Sequence, residues 1–178
     1  MPRHIAFLRG INVSGARLIK MDALKIMFEE LKFKNVKTYI QSGNVLFDVK
    51  ETDESILIKK IEKHLHKSLG YEVAVIVRTL GQVAQAVAQN PFPKAVIGDD
   101  LQLYVSFLPQ LPESNQSALL LASESEHEKF VIINREVYCL CSKKPDGTRL
   151  FSNTLVEKKL KLPATTRNWA TVNKVLTL

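Results

Sequence analysis

From His4 to Arg78 the chain alternates strand-like and helix-like patterns in the order βαββαβ, and this order limits the possible folds more than any other feature. "HIAFLR" (4–9) and "EVAVIVR" (72–78) are apolar throughout, as strands covered on both faces are. Leu24, Met27, Phe28 and Leu31 recur at helical spacing and predict a helix over about 21–32. "NVKTYIQSGNVLFDV" (35–49) reads as two strands around a Gln41-Ser42-Gly43-Asn44 turn, since Gly and Asn tolerate positive φ. Thr52 or Asp53 is placed to cap a second helix with buried face Leu57, Ile61 and Leu65, ended by Gly70.

The second half opens on a capping box, Thr79-x-x-Gln82, before a helix carrying Val83, Val87 and Ala88 that "NPFP" stops. A strand "LQLYVSFL" follows, then a helix opening near Pro112. "KFVIIN" and "EVYCLC" form a hairpin over Asn134-Arg135, and "KPDGT" is a turn. Ser152 is placed to cap another helix. "TTRNWATVNKVLTL" is expected to be a last helix, with Thr166 as N-cap and Trp169, Val172 and Leu176 on one face. No stretch between the halves reads as a linker. The expected architecture is α+β: a ferredoxin-like βαββαβ half over 1–78, packed as one body against a second related α+β half over 79–178.

In a ferredoxin-like sheet the first and second strands run the same way. The "RGINVSG" loop (9–15) and the "QSGN" turn should therefore emerge at one end, with the N-terminus of the first helix beside them. Arg9, Gly10, Asn12, Gly15 and Lys20 from the loop, with Gln41, Ser42, Gly43 and Asn44 from the turn, form the candidate ligand-binding set. Arginine can fork onto a carboxylate or phosphate, glycine lets a ligand approach backbone N–H groups, and asparagine orients a polar atom. Gly10 and Gly15 have the outer spacing of a phosphate loop, but Ala16 and Arg17 stand where that loop needs Lys and Ser/Thr, which excludes it. Arg167 joins the candidate set because a cation in the first turn of the expected last helix would oppose the helix dipole.

Other chemistry is thinner. Cys139 and Cys141, spaced i, i+2 on a strand, share one face and read as small apolar residues, for no second Cys or His pair stands at ligand spacing. His64 and His66 point to different helix faces. No metal or cofactor motif, catalytic triad signature or membrane-length apolar run appears, and no catalytic residue can be assigned. Hydrophobic residues at 46% and charged residues at 24% suit a soluble globular protein, with the cytoplasm as default. The net charge of +7 permits a polyanion partner. Much of the excess, however, is scattered over helix exteriors, at Lys59, Lys60, Lys63 and Lys67 and at Lys158, Lys159 and Lys161. Stacking aromatics are missing from the sheet positions an RNA-recognition module would use.

Taken in order, "LRGINV", "TYIQSGNV", "NPF" and "TTRNW" resemble the family known as domain of unknown function 1697, over nearly the whole chain. The resemblance implies a cytoplasmic, mostly bacterial α+β protein with a ferredoxin-like duplication, and it brings no reaction, cofactor or substrate. Its recurrent positions are Arg9, Gly10, Asn12, Gly15, Gln41, Ser42, Gly43, Asn44, Thr166, Arg167 and Trp169. Ser14, Ala170 and the stretch "GTRLFSN" (147–153) depart from the family pattern. The first-ranked expectation is binding of a small anion, phosphate-bearing ligands included. Nucleic-acid binding through dispersed lysines and a protein-interaction module are the alternatives.

Overall fold

A computed structural model describes residues 1–50, 53–148, 151 and 153–178 of the chain. Its contacts divide into two compact units, Met1–Ala84 together with Val175–Leu178, and Gln85–Lys174. The C-terminus returns to the first unit, where Lys37 Nζ donates to the Leu178 carbonyl at 2.9 Å.

The first unit runs β1 (Arg3–Leu8), α1 (Met21–Glu30), β2 (Lys34–Tyr39), β3 (Asn44–Asp48), α2 (Glu54–Leu69) and β4 (Val75–Thr79). The strands form an antiparallel sheet in the order β2-β3-β1-β4, the ferredoxin-like arrangement. Asp53 caps α2 by accepting from the Ser55 and Ile56 amides, and Gly70 ends it at φ 80. Thr52, the other candidate cap, lies outside the described residues. Ala6, Leu8, Val45, Phe47, Val75 and Val77 pack against Leu24 and Phe28 of α1 and Leu57, Ile61 and Leu65 of α2. Phe47 stacks on Phe33 at 4.4 Å between ring centroids. On the opposite face Ile5, Phe7 and Leu46 are fully buried too, as the continuous apolar runs require.

His4, also buried, stacks on Phe47. Loss of water around the ring holds its pKa below the usual value, against a contact with the Pro2 carbonyl and the charges of Asp48 and Glu54. As pH falls through about 6.5 the unfolded chain takes up this proton before the folded one does. The folded state therefore loses stability on acidification below that point. Melting temperature followed from about pH 7.5 to about pH 5 should fall less steeply in His4→Gln than in wild type. Parallel profiles would remove His4 from the account.

The second unit repeats the plan. α3 (Leu80–Ala88) leads from the first unit into the second. Its capping box forms as the sequence suggests, Thr79 N to Gln82 Oε1 and Gln82 N to Thr79 Oγ1. Val83 and Ala86 are its buried positions, while Ala88 is exposed. Then come β5 (Leu101–Phe107), α4 (Ser114–Leu121), β6 (Glu128–Ile133), β7 (Glu136–Ser142), α5 (Asn153–Leu160), β8 (Thr165–Asn168) and α6 (Trp169–Lys174), with a 3-10 turn over Val175–Thr177. The sheet order is β6-β7-β5-β8, the order of the first sheet shifted by four strands. Register and loop contacts repeat as well. Leu8 N donates to the Gly43 carbonyl and Leu108 N to the Arg135 carbonyl, both at 2.9 Å. Ser152, the proposed cap for α5, lies outside the described residues.

One expectation fails. Thr165–Asn168 is not the start of the last helix but strand β8, with Arg167 opposite Val105. The alternation decides it: Thr165 and Arg167 are buried, Thr166 is half-buried and Asn168 exposed, a period of two that β-branched threonines favour. The cap sits two residues later than expected, where Asn168 Oδ1 accepts from Thr171 N at 2.8 Å. Trp169 is half-buried.

Candidate functional site

The end of β1 is held on both sides. Leu8 N reaches the Gly43 carbonyl in the β2–β3 turn, and Arg9 N reaches the Ala74 carbonyl just before β4, each at 2.9 Å. The two polar segments thus meet at one sheet edge, as antiparallel pairing of β1 with both β3 and β4 requires. Beyond Arg9 the loop doubles back. Asn12 N donates to the Arg17 carbonyl and Ala16 N to the Val13 carbonyl, closing a tight hairpin. Gly10, Asn12, Ser14, Gly15 and Arg17 all have positive φ, a costly density of left-handed backbone where three of the five are not glycine.

Asn12 clamps this loop. Its Oδ1 accepts from Ile19 N at 2.7 Å, and its Nδ2 donates to the Ile19 and Gln41 carbonyls at 3.1 and 2.8 Å. Its two amide hydrogens and its oxygen are engaged within the chain, so Asn12 positions the loop against the turn. Asn44, fully buried, likewise donates to the Tyr39 carbonyl and to Ser42 Oγ. Asn12→Ala should cost about 1–3 kcal/mol of stability, as expected when hydrogen-bonded backbone groups lose their partner. Urea unfolding checks this, and a loss within about 0.5 kcal/mol, typical of a neutral surface change, would argue against the clamp.

The cations face elsewhere. Arg9 and Arg17 line a cleft of about 720 Å³ with Lys59, Glu62, Lys63 and His66 of α2 and with Glu72, Val73 and Ala74 leading into β4. Lys59 and Lys63 stand one turn apart on the same helix face, as do Glu62 and His66. Glu62 Oε1 accepts from Val75 N at 2.9 Å, which ties that carboxylate to the strand. The Arg17 guanidinium lies over the Tyr71 ring, 5.3 Å from its centroid. Arg9, Arg17, Lys59 and Lys63 outnumber Glu62 and Glu72, so the cleft is net positive.

Of the sequence-predicted set, only Arg9 lines this cleft. Gly10 supplies the left-handed bend beside Arg17, whose Nη1 would lie 4.0 Å from a Cβ there. Gly15 sits at the exposed loop tip, and Lys20 is exposed just before α1. Gln41 is exposed in the turn, Ser42 half-buried, and Gly43 is packed against Ile11 and Leu8. Arg167 belongs to the second unit. Its Nη1 donates to the Thr166 carbonyl at 2.8 Å, and burial lowers its pKa to about 9, leaving it charged at neutral pH. Arg78 is its counterpart in the first unit: opposite Ile5 on β4, almost fully buried, with Nη1 donating to the Val77 carbonyl at 3.0 Å. Arg167 is therefore one of a repeated pair, not a helix-terminus residue.

Lys59 and Lys63 lie on the exposed face of α2, as the sequence suggests, and that face also lines the cleft. Topology offered a signal. β4 starts beside the end of β1, Leu8 opposite Val75, so the last turns of α2 must lie close to Arg9. Lys60, by contrast, lies over the Phe33 ring and donates to the Leu31 carbonyl.

The fold and cleft define a duplicated ferredoxin-like α+β chain with a basic cleft at one sheet edge of its first unit. The chain belongs to the family described as protein of unknown function (DUF1697), which matches residues 1–138. Among solved structures it is similar to a conserved bacterial protein, SP0830 from Streptococcus pneumoniae, with a TM-score of 0.73 and 20% identity over 99% of this chain and 97% of that one. That likeness shows the shared fold. No curated protein matches the chain in sequence.

Proposed function

We propose that the chain binds a small anionic ligand, with a phosphate-bearing one as the best fit, in the cleft between the 9–17 loop and α2. The observation that carries this reading is the convergence of Arg9, Arg17, Lys59 and Lys63 on one cavity of about 720 Å³, a volume within the usual range for small-molecule sites. A strained loop held by an internal clamp supports it, since left-handed residues kept at a cost concentrate at binding sites. Gln41 and Asn44 enter this reading as supports of the loop. The bacterial cytoplasm is the setting the reading assumes: no disulfide joins Cys139 and Cys141, as in reducing compartments. No helix among the described residues is long and apolar enough to cross a membrane.

A thermal-shift panel of nucleotides, sugar phosphates, carboxylates and short RNA tests the proposal on wild type and Arg9→Ala. A ligand at about 100 times its dissociation constant adds roughly 2.7 kcal/mol, a rise of roughly 5–10 °C for a chain of this length. The expected result is a phosphate-bearing hit whose shift is lost in Arg9→Ala. An equal shift in the variant would take Arg9 out of the site. Nucleic acid is the second reading, favoured by the run of cations along α2. It predicts log K falling by about 0.9 per duplex phosphate neutralised as log salt rises.

A further inference from the structure

The two units fill the corresponding part of their cores in different ways. In the first, Phe47 lies opposite His4, stacks on Phe33 and meets Phe28 at a tilt. In the second, the position matching Phe47 is Cys139, opposite Tyr104, and Cys141 follows on the same face. Both are fully buried in the cluster that also holds Leu108, Phe130, Val156 and Leu160. Into this apolar place the neighbouring strand turns an acid. Glu128 pairs with Cys141 in the β6–β7 register and is only 8% exposed. A carboxylate aimed at two thiols inside an apolar cluster breaks the local pattern, and such breaks call for a partner.

We propose that Glu128, Cys139 and Cys141 form a binding site for a thiophilic divalent cation of the zinc and cadmium class. One ligand atom from each residue lies within 4.8 Å of the others, and the two sulfurs are 3.3 Å apart. Ligands around a tetrahedral cation with metal–sulfur bonds of about 2.3 Å sit about 3.8 Å from each other, so the sulfurs need to part by only about 0.5 Å. Two sulfurs and one carboxylate oxygen leave a fourth position for water. Charge balance also suits a divalent ion: two thiolates neutralise it, and the extra charge of Glu128 lies within the field of Lys144. Without a cation, the hydrogen bond with Cys141 and then burial hold the Cys139 thiol above its usual pKa, and burial does the same for the Glu128 carboxyl. Binding is then expected to release protons, as thiol ligands do.

The test is titration of the reduced full chain with cadmium chloride, followed by the thiolate-to-metal absorption band and by proton release. The proposal expects one cadmium per chain and a rise in melting temperature. It expects the band to vanish in Cys141→Ala and affinity to fall at least about 10- to 100-fold in Glu128→Gln, the loss that removing even an outer-shell partner of a metal ligand brings. A folded wild type that shows no band, while both thiols react once it is unfolded, overturns the site. So does a Glu128→Gln variant that binds cadmium like wild type. Glu128 would then be an inward charge guarding the edge strand β6, and the variant should self-associate instead. If Cys141→Ala does not fold, the wild-type titration and Glu128→Gln still decide.

Discussion

Gly43→Ala is expected to lower the unfolding free energy by about 2–5 kcal/mol. Two costs add. At φ 80 an alanine occupies the left-handed region, at about 1–2 kcal/mol. Its Cβ would also stand 2.6 Å from Ile11 Cδ1 and 2.9 Å from Leu8 Cβ, an overpacking that costs about 1–3 kcal/mol. The backbone cannot retreat easily, because the Gly43 carbonyl accepts from Leu8 N. Gly15→Ala is the control: φ is 75 there, but nothing lies within 4 Å of the added carbon, so only the conformational cost remains. Urea unfolding of the two variants separates the terms. Equal losses would mean that the turn does not pack against the loop as described.

The second large effect concerns binding. Lys59→Glu combined with Lys63→Glu is expected to weaken a phosphate-bearing ligand about 100-fold or more, since each charge-assisted contact is worth roughly 1.5–3 kcal/mol. Both lysines are exposed, so stability should change by no more than about 0.5 kcal/mol per site. The same reversal at Lys129 and Lys158, also exposed but in the second unit, supplies the comparison. A small-ligand cleft loses affinity only in the first pair. A binder that uses dispersed surface lysines for nucleic acid loses it in both. Titration calorimetry of the two double variants reads the difference directly.

The fold was largely legible because its local signals agree. The apolar runs over 4–9 and 72–78, which form the strands Arg3–Leu8 and Val75–Thr79, the Asp53 cap, the Leu57–Ile61–Leu65 face and the Thr79–Gln82 box all describe neighbours in sequence, and each forms. From those elements, sheet order followed and brought the 9–15 loop to the turn. What escaped depends on contacts between distant residues. Thr165–Asn168 carries helix-start residues, yet pairing with β5 makes it a strand, and the argument about Arg167 and a helix dipole goes with it. Asn12 has the composition of a ligand group, but its bonds to Ile19 and Gln41 exist only once the loop closes. Lys59 and Lys63 look like any solvated helix face until α2 is laid against the end of β1. Glu128 is separated from Cys139 by a hairpin, and only the β6–β7 register shows that it points at the thiols.

The most direct measurement of the central claim is amide NMR of the ¹⁵N-labelled chain titrated with inorganic pyrophosphate. Saturable shifts are expected only in 9–17, 59–66 and 72–74, the segments that carry the cleft's lining residues, and these shifts should be lost in the Lys59→Glu, Lys63→Glu variant. Shifts that cluster elsewhere, or that persist unchanged in that variant, would contradict the claim and return the 9–17 loop to the role of a turn.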